Sequence, residues 1–200
     1  MKVECKYASC SSIEFEKGIA RTFQNIRLFS AMTAIENAMV ARHCRTRKGI
    51  VGSILRTPSQ RREEVWIREK AQEALTFMGV GKYADTVASN LPYGLQRRLE
   101  IARAIASEPK VLLLDEPAAG MNPSESSELM KDITRIKDLG IDVLLVEHDM
   151  KVVMGVCDHI VCVDHGVKIA EGDSLQPGLA AGDRIEHRAA GLARVADGRV

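Results

Sequence analysis

Two adjacent carboxylates, Asp115 and Glu116, end a short apolar run, Val111 to Leu114, and are followed by Pro117. Neighbouring acids of unlike role suit phosphoryl chemistry: Asp115 can hold Mg²⁺ while Glu116 orients or deprotonates a water. Pro109 and Pro117 fence the run, and its length predicts a fully buried β-strand. Acids at the tip of such a strand lie where open parallel sheets carry their ligands. Upstream, Gly94 opens a helical segment, Gln96 to Ser107, with Leu99, Ala102, Ile105 and Ala106 on its apolar face. Arg97, Arg98, Glu100 and Arg103 fill its polar positions. A glycine at a helix entrance leaves free amides and the positive dipole end open to a phosphate.

The elements that must position these groups follow from periodicity and turn chemistry. Ser124 to Leu139 reads as a helix with Leu129, Ile133 and Ile136 inward, stopped by Gly140. Asp142 to Val146 returns as a strand ending in Glu147, His148 and Asp149. A helical crossover between two such strands brings His148 to the same sheet edge as Glu116. Asp158 to Val163 and Val167 to Glu171 form a hairpin about Asp164-His165-Gly166. Toward the start, Gly18 to Asn25 is a strand entering a loop. Thr33 to Arg45 is a helix, with Thr33 as N-cap and Glu36 completing a capping box. Its basic end, Arg42, Arg45, Arg47 and Lys48, is read as serving a helix C-terminus, not nucleic acid. Gly49 to Pro58 is a loop. Ser59 to Met78 is a longer helix with Val65, Ala71, Ala74, Leu75 and Met78 as its buried stripe, stopped by Gly79 and Gly81. Trp66 is read as packing, and His159, His165 and His187 as ordinary surface residues.

Composition limits the function classes. With 200 residues and 46% hydrophobic content, the chain can bury one sizeable core. Its 28 basic and 27 acidic residues leave a net charge of +1, so no global field draws it to nucleic acid or anionic lipid. Five cysteines, at 5, 10, 44, 157 and 162, show no CxxC spacing and are read as reduced thiols of a cytosolic protein. No apolar stretch approaches the roughly 20 residues needed to span a bilayer. A role at a membrane therefore implies docking on another chain.

Taken together, these residues resemble the ATP-binding subunits of ABC transporters. Leu91-Pro92-Tyr93-Gly94-Leu95-Gln96 is similar to the signature loop, Val111 to Glu116 to the Walker B strand, and Ala119-Gly120-Met121-Asn122 to the D-loop. Gln24, within Arg21 to Asn25, resembles the Q-loop glutamine, and His148 the switch histidine. The wording of RTFQN, LPYG and VEHDM resembles the branched-chain amino acid uptake group. The signature departs from the widespread L-S-G-G-Q: Pro92 removes a hydroxyl, Tyr93 replaces a glycine, and Leu95 replaces a glutamine. The resemblance covers about Gly18 to Gly172 and leaves Met1 to Lys17 unassigned. The phosphate-binding G-x-x-x-x-G-K-[ST] occurs nowhere in the 200 residues. An N-terminally truncated chain is therefore expected, through a misplaced start or a damaged gene.

The resemblance implies an α/β fold: a P-loop NTPase core of the ABC ATPase kind, its parallel sheet incomplete, with a helical subdomain inserted over about 30–92. Residues 1–172 would form a partial ATP-binding domain. Residues 173–200, rich in Gly, Ala, Arg and Asp, are expected to be a loose tail of altered reading frame, with a possible helix over Arg184 to Val195. By family topology the missing Walker A strand lies between the strands 142–146 and 158–163, leaving a gap or drawing those strands together. The implied cofactors are ATP and Mg²⁺. Gln24 and Asp115 would hold the metal, Glu116 would activate water, and His148 would contact the γ-phosphate. Leu91 to Gln96 and Asn122 would meet nucleotide bound on a second ATP-binding subunit. The further partners are transmembrane permease subunits, met near Ile26, Leu28 and Phe29 at the inner face of the membrane, with no nucleic acid. Alternatives kept open are a catalytically silent fragment and a lipid or polysaccharide exporter subunit. A DNA-repair ATPase of the same class is disfavoured by the short insertion and the lack of coiled-coil heptads.

Overall fold

The structure, a computed structural model, describes residues 18–43, 58–173 and 190–195. Strand β1 (Ile19–Arg21) precedes helices α1 (Ala34–His43) and α2 (Pro58–Phe77), which lead into α3 (Tyr93–Ala106) and β2 (Val111–Asp115). Helix α4 (Pro123–Asp138), β3 (Asp142–Glu147), α5 (Met150–Val156), β4 (His159–Asp164), β5 (Val167–Asp173) and β6 (Ala190–Val195) follow. The six strands form one sheet in the order β1-β2-β3-β6-β4-β5. β1, β2 and β3 run parallel, with Leu114 opposite Leu145 and Asp115 opposite Val146.

Strand β2 is not buried on both faces. Leu112 and Leu114 are sealed, while Val111 and Leu113 between them are half-buried. The same alternation seals Val143 and Leu145 on β3 and Ile160 and Cys162 on β4. On this covered side the core includes Leu129, Ile133 and Ile136 of α4 and Val152 and Val153 of α5. Helices α1, α2 and α3 pack against one another as the expected helical layer. In α2 the buried stripe is Ile67, Ala71, Ala74, Leu75 and Met78, whereas Val65 is exposed. Val65 lies six residues before Ala71, and helical periodicity turns it about 120° off that stripe.

Thr33 and Glu36 form the capping box expected of α1: Glu36 Oε2 accepts from the Thr33 amide at 2.8 Å, and Thr33 Oγ1 accepts from the Glu36 amide at 3.3 Å. At the other end, Arg42 does serve a helix C-terminus, but that of α3. It is buried, donates to the Ala106 carbonyl at 3.1 Å, pairs with Glu108 at 3.0 Å and stacks on half-exposed Trp66 at 4.2 Å. Arg45, Arg47, Lys48 and the loop from Gly49 lie outside the described residues.

The tail corrects two expectations. Residues 190–195 are neither loose nor helical; they form β6, inserted between β3 and β4 and antiparallel to both. The position that family topology reserves for the Walker A strand is thus filled, with opposite polarity, so β3 and β4 neither gape nor close together. Both sides of β6 are paired, and its Ala193 faces Leu145 on β3 and Ile160 on β4. An interior strand tolerates proline poorly, because the ring removes a ladder donor. Ala193→Pro is expected to lower the free energy of unfolding by on the order of 2 kcal/mol in urea titrations followed by circular dichroism.

Among the described residues three acids are buried: Glu100, Asp132 and Glu147. Burial pushes each carboxyl above its ordinary value, outweighing the donors that hold it. A carboxyl raised in the folded state binds more protons there than in the unfolded chain, so stability falls as pH climbs through that interval. For Glu147 the interval begins at its usual 4.5 and extends upward. Glu147→Gln should therefore gain stability relative to the parent as pH rises above this value. Denaturant midpoints measured from pH 4 to 8 check it; a constant offset between the two proteins would refute the assignment.

Candidate functional site

Glu116 sits one residue past β2 in a left-handed backbone conformation, with φ of 43°. Such a conformation is costly for a residue with a side chain, by about 1–2 kcal/mol, and clusters at functional positions. Pro117 contributes by disfavouring the right-handed helical region at the residue before it. The turn is held by the Glu116 amide, which donates to the Val146 carbonyl on β3 at 2.9 Å. The Glu116 carboxylate is thereby aimed between two loops. Gln24 Nε2 donates to its Oε2 at 2.6 Å, and His148 Nδ1 lies 3.5 Å from its Oε1. Three residues separated by up to 124 positions thus meet around one carboxylate, which stays about a quarter exposed.

Asp115 points elsewhere and has a partner of its own. Its Oδ2 accepts from Arg21 Nη2 at 3.0 Å, across the β1–β2 pairing. Oxygen atoms that make none of these contacts are the second oxygen of Asp115 and the side-chain amide oxygen of Gln24. Oxygen ligands suit Mg²⁺, but two of them fall short of an octahedral shell, and the ion completes such shells with water and phosphate oxygens. Among the described residues no cluster of three His, Cys, Asp or Glu side chains could hold a metal alone.

The signature stretch packs on the D-loop of its own chain. Tyr93, at the start of α3, donates its hydroxyl to the Ala119 carbonyl at 3.0 Å, and its ring covers Gly120, whose φ is 75°. Gly94 is buried against Glu125: a Cβ there would stand 2.9 Å from Glu125 Oε1. Pro92 caps α3 without a side-chain bond, and Gln96 Nε2 donates back to the Leu91 carbonyl at 2.8 Å. Leu91 is buried core, and Leu95 is partly buried against it. Asn122 is the N-cap of α4. Its side-chain oxygen accepts from the Glu125 amide at 2.9 Å while Glu125 Oε2 accepts from the Asn122 amide at 3.0 Å, a capping box unnoticed in the sequence. The S/T/D/N-x-x-E spacing would have revealed it.

Two further groups escaped the sequence reading. Glu147 is almost fully buried, and its carboxylate accepts from the amides of Ala118, just before the D-loop, at 3.0 Å, and of His148, at 3.3 Å. Arg97 and Glu100, assigned to a polar face of α3, are sealed from solvent and pair at 2.9 Å. A spacing of three puts them on one helical face, but only the packing shows that this face is covered. Ile26 to Met32 line an open cleft of about 860 Å³, and Leu28 packs against the core from its wall. His159 is held between Asp173 and Glu171, away from the site.

The sequence matches the ABC transporter family over residues 4–119, which takes in most of the stretch Met1 to Lys17 that the motifs left unassigned. It is 45% identical over 161 residues to the high-affinity branched-chain amino acid transport ATP-binding protein BraF of Pseudomonas aeruginosa, covering 80% of this chain and 63% of BraF. Against LivG of Escherichia coli, a protein of the same description, identity is 46% over 160 residues, with 80% and 63% covered. The lipopolysaccharide export system ATP-binding protein LptB of Haemophilus influenzae is 35% identical over 161 residues, covering 80% of this chain and 61% of LptB. The fold is similar to the ADP conformation of MJ1267, an ATP-binding cassette of an ABC transporter, with a TM-score of 0.65, 29% identity, and 81% and 63% of the two chains covered. The chain thus spans about 63% of the length of the curated relatives BraF and LivG. With motif order, sheet and strand-end geometry all in agreement, the chain belongs to the ABC transporter family, in its ATP-binding part, and has the P-loop NTPase fold.

Proposed function

We propose that this chain is an ATP-binding, energy-coupling component of an importer of branched-chain amino acids. The observation that carries the reading is the convergence of Gln24 and His148 on Glu116 at the carboxyl ends of β2 and β3. Glu116 acts on the attacking water, and Gln24 orients it. His148 stabilises the transferring phosphoryl group. Asp115 and Gln24 would hold Mg²⁺ through side-chain oxygens, and the ion would neutralise phosphate charge. Pro92 to Gln96 and Asn122 face nucleotide held by a second ATP-binding subunit, while Leu91 anchors that stretch in the core. Residues 1–172 serve as part of the ATP-binding domain, with about 30–92 as its helical subdomain. The cleft over Ile26 to Met32 receives a transmembrane permease subunit at the inner face of the membrane. No helix among the described residues is long and apolar enough to cross a bilayer, consistent with attachment through that subunit.

The higher identity to BraF and LivG than to LptB supports an amino acid over a lipid or polysaccharide cargo. Uptake of labelled leucine into vesicles carrying the full transporter tests this. Leucine-dependent uptake should vanish with Glu116→Gln, and uptake indifferent to leucine would defeat the cargo assignment.

A silent role for these 200 residues is favoured by charge. Two acids crowd the strand tip, and Arg21, the cation beside them, is paired with Asp115. No G-x-x-x-x-G-K-[ST] cradle is present in the sequence to offset several phosphate charges. Missing preorganised donors typically cost about 3 kcal/mol or more each at the transition state. Purified 1–200 is therefore expected to turn over no more ATP than its Glu116→Gln variant. Mg²⁺-dependent phosphate release that this substitution abolishes would overturn the expectation.

A further inference from the structure

Arg97 and Glu100 form the ion pair, among those of the described residues, in which both partners are sealed from water, at 0% and 1% exposure. Burying two charges is costly, and their mutual attraction offsets that cost only where the remaining donors and acceptors are also satisfied. Here the two terminal guanidinium nitrogens and both carboxylate oxygens find partners, three of these bonds running to the backbone of one loop, while the Arg97 Nε–H has none. Arg97 Nη1 donates to the Phe23 carbonyl and Nη2 to the Gln24 carbonyl, each at 2.6 Å. Glu100 Oε1 accepts from the Arg27 amide at 3.1 Å, and its Oε2 accepts from Arg97 at 2.9 Å. Three main-chain groups within five residues are thus gripped by two side chains one helical turn apart on α3. The gripped segment includes Gln24, whose side chain donates to Glu116.

We propose that the Arg97–Glu100 pair is a positioning device that fastens the Gln24 loop to α3 and thereby holds the Gln24 side chain on Glu116. The proposal rests on reading Gln24 and Glu116 as site residues. Arg97 and Glu100 touch neither nucleotide nor water in it; they act through the loop. Carbonyl groups that would otherwise turn to solvent are fixed by a planar two-pronged donor, which a lysine cannot replace.

The test reads the loop directly in the full chain and does not depend on ATP turnover. Replacing a buried pair with apolar residues of similar volume commonly preserves stability, whereas removing one partner does not. The informative variant is therefore the double substitution Arg97→Met with Glu100→Leu. Two reporters are followed by NMR: exchange of the Arg27 amide and the side-chain amide signal of Gln24, with Glu116→Gln marking its unbonded position. In the double variant Arg27 should exchange at least about tenfold faster and the Gln24 signal should move to the Glu116→Gln position. The amides of Leu114 and Leu145 should keep their protection. Arg97→Lys should restore the Gln24 signal only in part. An unchanged Gln24 signal with a protected Arg27 amide would overturn the proposal. Native-state exchange of the parent gives an answer without any substitution. Arg27 should open in the same unit as Ile101 and Ala102 of α3 as urea is raised, and opening independent of α3 would equally overturn it. Because leucine uptake is a separate readout, a failed transport assignment leaves these outcomes unaffected, and the reverse holds.

Discussion

The site depends on the parallel pairing of β2 with β3. Its register sets Asp115 opposite Val146, and the ladder continues one bond further, from the Glu116 amide to the Val146 carbonyl. That bond holds Glu116 in a left-handed turn that a free chain would avoid. It also fixes the distance between the two strand ends, and therefore between Glu116 and His148. Glu147, the last residue of β3, faces the covered side and uses its buried carboxylate to tie the residue just before the D-loop to the switch loop. A slip of one residue in this register would turn Leu114, Leu145 and Glu147 to the opposite face and dismantle the site together with the core.

Around this pairing, the helical layer is attached by charge as well as by apolar packing. Arg42 reaches from α1 to the last turn of α3, and Arg97 and Glu100 reach from α3 to the loop after β1. These contacts are specific in a way that apolar packing is not. A leucine in place of Arg97 would fill space yet leave the carbonyls of Phe23 and Gln24 without donors. The tolerance of apolar packing for shifts of an ångström is thus traded for orientation, which a site on loops requires.

Strand β6 solves a problem of sheet continuity. Unbridged, β3 and β4 would each present a row of unpaired amides and carbonyls, a disposition that soluble sheets avoid. β6 satisfies both rows by running antiparallel to its neighbours. A composition rich in Gly, Ala, Arg and Asp gives little sign of this, because β-propensity reflects the surrounding sheet more than the strand itself.

The sequence by itself determined the family and most of the elements between Gly18 and Gly172, because these rest on local pattern: an apolar run fenced by prolines, a capping box at Thr33, glycines where helices stop. It also placed His148 beside Glu116, since a helical crossover between parallel strands has one favoured hand. What only the tertiary structure decided is which polar residues lose water. Arg42, Arg97, Glu100 and Glu147 have the same residue types as their exposed neighbours, and no spacing within one helix or strand says which face another element will cover. The exposure of Val65 and the half-open face of β2 follow from the same limit. So does the engagement of Asp115 by Arg21, which arises 94 residues apart in the chain, where only the register of β1 on β2 brings the two together.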